Sequence, residues 1–324
     1  MSSKLRWSFV LVLYFTLLGF IMWFGYPFTS FDHQNYINFL EEPFPFFFEP
    51  IYTLVAISLT HVVSPDYRFF VIFFIFVATP TVLIVNLNAR HGYASPQYIF
   101  FWILFKSSFV GFISQRFWFS ELWMSYFILR CSSNLTQFSV GVIFSSGIHF
   151  GVAGVLPLYY FLLRGASRIF IVLFAISLIG IFYFKNVNYI FLWYDYSRYV
   201  GMGTERGFPY FSLLTMILIC VVAISSLQTK MAIRVMLASF GVLVFKVIFS
   251  ELDVYSRIFQ AQVDLLLIYC AIYCKKRAGA LYLPVFCIFF VLGQSFLSST
   301  SDEIVFYLKS AVINSFVNFK NLVL

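Results

Sequence analysis

An apolar run over residues 138–163 is interrupted at its centre, and no other feature constrains the chain as strongly. Phe138–Phe144 leads in, Ser145, Ser146, Gly147 and His149 break the pattern, and Val152–Leu163 leads out, within SSGIHFGVAGVLPLYYFLLR. In a bilayer, irregular backbone cannot face lipid, because nothing there satisfies its N–H and C=O groups. Such a break is buried in protein or lines a wet cavity, and an ionisable residue at it is a functional-site hypothesis by default. Either His149 caps a kinked core helix, or it lines a cavity at the tip of a re-entrant helical pair. The charges on either side favour the second reading.

The bilayer premise comes from composition. The chain of 324 residues is 61% hydrophobic and only 10% charged, more apolar surface than a soluble domain of this size can cover. The expected fold class is all-α, a polytopic transmembrane helical bundle forming one integral membrane domain over residues 1–324. The net charge of +8 does not point to nucleic acid, because Lys and Arg fall in short connections. There they set orientation and meet membrane lipids. Trp7–Phe24 is long enough to span and no small-residue cleavage site follows it, so no cleavable signal is expected. The five cysteines lie within or beside apolar segments and read as small buried hydrophobes.

Charge parity gives a topology. Lys4 and Arg6 place the N-terminus inside, and the segment carrying Asp32, Glu41, Glu42 and Glu49 with no Lys or Arg lies outside. Arg90, the Arg164/Arg168 pair, the Lys230/Arg234 pair and Lys275–Arg277 all mark inner loops. Tyr67–Leu87 can then end inside only if the short stretch Glu49–Val63 does not cross, so it is expected as an interfacial or re-entrant helix. The same counting sends Gln97–Ile113 out and Phe117–Leu129 back. Segment 135–163 enters and returns, and the remaining spans fall near Ile169–Phe184, Phe208–Ser226, Met231–Ser250, Ile258–Cys274 and Leu281–Phe296. The expected total is about nine full spans plus re-entrant or interfacial helices, with outer loops 27–66 and 185–207.

Most polar chemistry then gathers on the outer side. One segment holds Asp32, His33, Tyr36 and Glu49. Another holds Tyr194, Asp195, Tyr196, Arg198, Tyr199, Glu205 and Arg206. A third holds Glu251, Asp253 and Arg257, with Arg116 and His149 added from the membrane side. Loop charges solvate and aromatics populate interfacial belts, so part of this pattern has a purely structural origin.

In order and spacing these residues resemble the EpsG-like branch of the Wzy-type bacterial polysaccharide polymerases, over roughly residues 30–274. Its D-x-x-x-Y motif is matched by Asp32–Tyr36, its Glu-Pro pair by Glu49-Pro50, and its helix-opening Arg by Arg116. The broken helix with a central His is matched by IHFGVAGVLPLYYFLLR, the Y-x-x-Y loop by Tyr196–Tyr199, and a late helix-opening Arg by Arg257. Bulky Phe117, Trp118 and Phe119 stand where the family usually has small residues, and Phe150 where it often has Lys or Pro. The resemblance implies a glycosyltransferase of GT-C-like character in the bacterial inner membrane, with its site facing the periplasm. It implies joining of undecaprenyl-diphosphate-linked oligosaccharide repeats into O-antigen or exopolysaccharide, with a chain-length regulator protein as a candidate partner.

The residues themselves fit that chemistry. Attack of a sugar hydroxyl on an anomeric carbon needs a general base and stabilisation of a departing diphosphate. Arg116, Arg198, Arg206 and Arg257 offer forked donors for phosphate. Asp32 is the expected base and His149 the alternative. Tyr194, Tyr196 and Tyr199 offer apolar faces with a polar handle for sugars, and Tyr36 and Glu49 join the substrate-binding set through the motifs of the resemblance. No Asp-x-Asp or His/Cys cluster calls for a metal, and no cofactor is expected. Two rivals remain open: a flippase or transporter for lipid-linked glycans, and a membrane-bound polysaccharide acyltransferase.

Overall fold

A computed structural model of the chain describes residues 49–91, 115–131, 134–165, 210–248 and 253–273. Among the described residues the structure is all helical. The spans expected at Trp7–Phe24, Gln97–Ile113, Ile169–Phe184 and Leu281–Phe296 lie outside the described residues. The helices are α1 (Pro50–Val62), α2 (Pro65–Phe73), a π-turn (Phe74–Ala78), α3 (Thr79–His91), α4 (Gln115–Arg130) and α5 (Leu135–Ile148). A 3₁₀ turn (Phe150–Val152) follows, then α6 (Val155–Arg164), α7 (Tyr210–Ser226), α8 (Thr229–Ile248) and α9 (Asp253–Ile272).

Among the described residues no helix is long and apolar enough to cross a membrane. The expected full spans meet shorter or charge-bearing helices. The most apolar of them, α7, has 17 residues, while α8 carries Lys230, Arg234 and Lys246 and α9 carries Asp253, Arg257 and Asp264. The stretch expected as one span at Tyr67–Leu87 stays helical but is divided by the π-turn. Pro80 explains the division: its ring collides with the carbonyl four residues back and it has no N–H to give. The Thr79 N–H instead reaches the Phe74 carbonyl, five residues back.

The chain forms two compact units. Of the described residues, the first unit takes 49–91, 115–126 and 147–149, and the second takes the remainder. The core of the first unit is aromatic. Tyr52 tilts against Phe76 at 5.9 Å, Phe76 stacks on Phe119 at 5.6 Å, and Phe73 meets the edge of Trp118 at 6.3 Å. Such pairs contribute about 0.5–1.5 kcal/mol each beyond the area they bury. Arg68, itself buried, closes the end of α1 by donating from Nε to the Val63 carbonyl at 3.0 Å.

In the second unit α8 packs against α7, and both pack against α9, which with α8 also holds α6. Two cross-links fix the far end of α6. Arg234 Nη1 donates to the carbonyls of Leu162 and Leu163 at 3.2 and 3.0 Å, and the Tyr269 hydroxyl donates to Leu162 at 3.3 Å. Gly165 ends the helix at φ +78, where a side chain would be strained, and the Arg234 guanidinium packs beside it. Arg234, an inner-loop charge on the sequence reading, thus stands within α8 as the cap of another helix.

Candidate functional site

The interruption in the 138–163 run falls later than its first polar residues suggest. Asn134 starts α5 by accepting the Gln137 N–H at 3.1 Å, a typical N-cap. Ser145 and Ser146 stay helical because their hydroxyls bond back to the Gly141 and Val142 carbonyls, at 2.9 and 2.7 Å. The helix stops at Ile148, and His149 is the first residue outside it.

Glu49 stands at the start of α1. Pro50 suits the first helical position, where its missing N–H would find no intrahelical acceptor. The Glu49 side chain makes no capping bond to its own helix. Its Oε2 accepts a hydrogen bond from Arg116 Nη1, in the first turn of α4, and its Oε1 lies 3.8 Å from His149 Nε2. The second distance is too long for a hydrogen bond yet within ion-pair reach. One carboxylate thus sits between a guanidinium and an imidazole.

Aromatic and small residues hold this group in place. The Arg116 guanidinium lies over the Tyr52 ring at 5.8 Å, and the edge of Phe117 meets His149 at 5.4 Å and 74°. Gly147 brings the end of α5 against α1: a Cβ there would lie 2.7 Å from Ile51 Cγ1. The side chains of Glu49 and His149 are 6% and 9% exposed, while Arg116 keeps 23%. Arg116 is therefore the member of the trio most open to an incoming anion, and the carboxylate and imidazole lie behind it.

Of the residues expected from sequence, the structure brings together Glu49, Arg116 and His149. Asp32, Tyr36, Tyr194, Tyr196, Arg198, Tyr199 and Arg206 lie outside the described residues. Arg257 falls early on α9, in the second unit. The sequence reading passed over Tyr52 as the platform under Arg116. It took Phe117 as a departure in site shape, whereas Phe117 is the ring that packs on His149. It also passed over two carboxylates within helices, Glu121 on α4 (1% exposed) and Asp264 on α9 (0%). An acid inside an apolar run was the available signal for both.

No protein-family model, curated protein or solved structure matches the chain.

Proposed function

We propose that the chain is an integral membrane glycosyltransferase that polymerises oligosaccharide repeats carried on undecaprenyl diphosphate, at the periplasmic face of the bacterial inner membrane. The observation that supports this most is the meeting of Glu49, Arg116 and His149. These residues come from three separate motifs of the resemblance, and one function held in common accounts for their convergence. The membrane setting is supported by outward apolar stripes at helical spacing. Leu214, Ile217, Val221 and Ile224 line α7, and Ile233, Leu237 and Phe240 line α8, with Phe240 67% exposed.

In this reading a sugar hydroxyl of the new repeat attacks the anomeric carbon of the growing chain. The new glycosidic C–O bond forms as the bond to the carrier diphosphate breaks. Asp32 takes the hydroxyl proton, and Arg116 stabilises the negative charge that develops on the leaving diphosphate. His149, behind Arg116 and Glu49, positions the clamp. The tyrosines carry the sugar rings.

The test is the glycan profile of a deletion strain. Loss of polymer with single repeats still transferred to their acceptor supports polymerisation. Lipid-linked repeats trapped on the cytoplasmic leaflet would assign the chain as a flippase, and full-length polymer lacking acyl groups would assign it as an acyltransferase.

A further inference from the structure

We propose that Glu49 is an exchangeable counter-ion: a diphosphate arriving at Arg116 takes over the guanidinium and turns the Glu49 carboxylate onto His149. This deepens the polymerase reading and rests on it, because the diphosphate is that of the lipid carrier.

Arg116 is the most exposed of the three side chains, at 23% against 6% for Glu49 and 9% for His149. Of the three, the guanidinium is thus the group an anion from outside the cluster can best reach. A diphosphate bears more charge than a carboxylate and more oxygens matched to the guanidinium fork, so it competes directly for the same donors. Two anions on one guanidinium repel each other, and a carboxylate buried without a cation or donors is costly. Glu49 therefore shifts toward a partner that can replace the lost donor.

The structure supplies that partner. Glu49 Oε1 is 3.8 Å from His149 Nε2, so a shift of about 1 Å makes a charge-assisted hydrogen bond of ordinary length. No capping bond ties the Glu49 side chain to α1. Thr53, one turn further along the same helix, has a buried hydroxyl with no hydrogen-bond partner among the described residues and is available as a second donor. Tyr52 lies under the guanidinium and keeps Arg116 in place while its counter-ion changes. Once Glu49 accepts from Nε2–H, the imidazole tautomer is fixed, with Nδ1 the unprotonated nitrogen. Glu49 is then a positioning residue whose arrangement reports whether the carrier diphosphate is bound.

The experiment uses the full-length protein in detergent, titrated calorimetrically with inorganic pyrophosphate. Glu49→Gln removes the competing charge at nearly constant shape, so it should bind pyrophosphate about tenfold tighter than wild type, a gain that structural damage does not produce. Arg116→Gln should lose binding. In parallel, ¹⁵N-histidine spectra should show the His149 Nε2 signal shift on pyrophosphate addition in wild type and not in Glu49→Gln. With four histidines in the chain, His149→Gln assigns the signal. Equal or weaker binding by Glu49→Gln, an unmoved His149 signal in wild type, or binding by none of the proteins overturns the exchange. Each of these leaves the polymerase reading intact if the deletion strain lacks polymer. The expected binding pattern with normal polymer in that strain would instead keep the exchange and remove the polymerase reading.

Discussion

Replacing Gly147 by Ala tests whether the site depends on the close approach of α5 to α1. The added Cβ would lie 2.7 Å from Ile51 Cγ1, 2.8 Å from Cδ1 and 3.3 Å from Cβ. Ordinary carbon contacts are about 3.5–4.0 Å, so roughly 1 Å must be found. A rotamer change at Ile51 moves Cγ1 and Cδ1 but not Cβ, so part of the shift falls on the backbone that carries His149. Overpacking of this kind costs about 1–3 kcal/mol, offset by the roughly 1 kcal/mol that Ala gains over Gly in a helix. Net destabilisation of about 0–2 kcal/mol is expected, with a larger loss of polymer output because His149 moves away from Glu49. Ile51→Ala alone should cost about 1–2 kcal/mol, half the range for a fully buried site, since Ile51 is half-buried. In the double variant the contacts with Cγ1 and Cδ1 disappear and only the 3.3 Å contact with the Ile51 Cβ remains, so the cycle should show a favourable coupling of about 1–2 kcal/mol. Chemical unfolding in detergent measures the stabilities, and glycan profiles measure output. Additive effects within about 0.5 kcal/mol, or normal polymer from Gly147→Ala, would refute the close-approach argument.

Gly141→Ala should be worse, since its Cβ would fall 2.3 Å from Phe127 Cγ, a rigid ring atom; a fully stable variant would contradict the packing of α5 on α4. Arg116→Lys should abolish most polymer because Lys keeps the charge and loses the fork, while Arg90→Lys should be nearly silent; equal output from both removes Arg116 as a clamp. Asp32→Asn should lower in-vitro polymerisation about 10²–10⁴-fold and His149→Gln should only weaken it, with the reverse order making His149 the base. Burial pushes the Cys131 thiol above its ordinary value of 9.0, against a smaller lowering by Arg130. Alkylation of the folded protein at neutral pH should therefore be slow and rise only in alkali, and labelling as fast as that of free cysteine would show the thiol to be open.

Some of this was readable in the sequence for clear physical reasons. Polar residues inside an apolar run mark a break, and Gly147 and His149 do stand at one. The run of Ser145 and Ser146 placed that break too early, because a serine can hide its hydroxyl on a carbonyl one turn back, and hydropathy does not register that bond. Helix α9 begins at Asp253, before the apolar stretch from Ile258, because hydropathy tracks burial while helical bonding extends through its polar first turn. Glu49, Arg116 and His149 were each legible as polar residues on one expected side. Their mutual distances were not, since these are set by Gly147, Ile51 and Phe117, none of which looks chemical. Arg234 misled for a related reason: a cation near a loop usually solvates, and only the tertiary fold offers it the carbonyls of another helix.

Those carbonyls have a mechanical consequence. Helix α6 is clamped by Arg234 and Tyr269 at one end, and at the other Gln262 Nε2 donates to the Gly154 carbonyl at 3.2 Å. A rod fixed at both ends to its neighbours does not pivot; it moves as one body with them. Helix α6 therefore shares every displacement of α8 and α9, and the 3₁₀ turn before it, seated on α9 as well, travels with them.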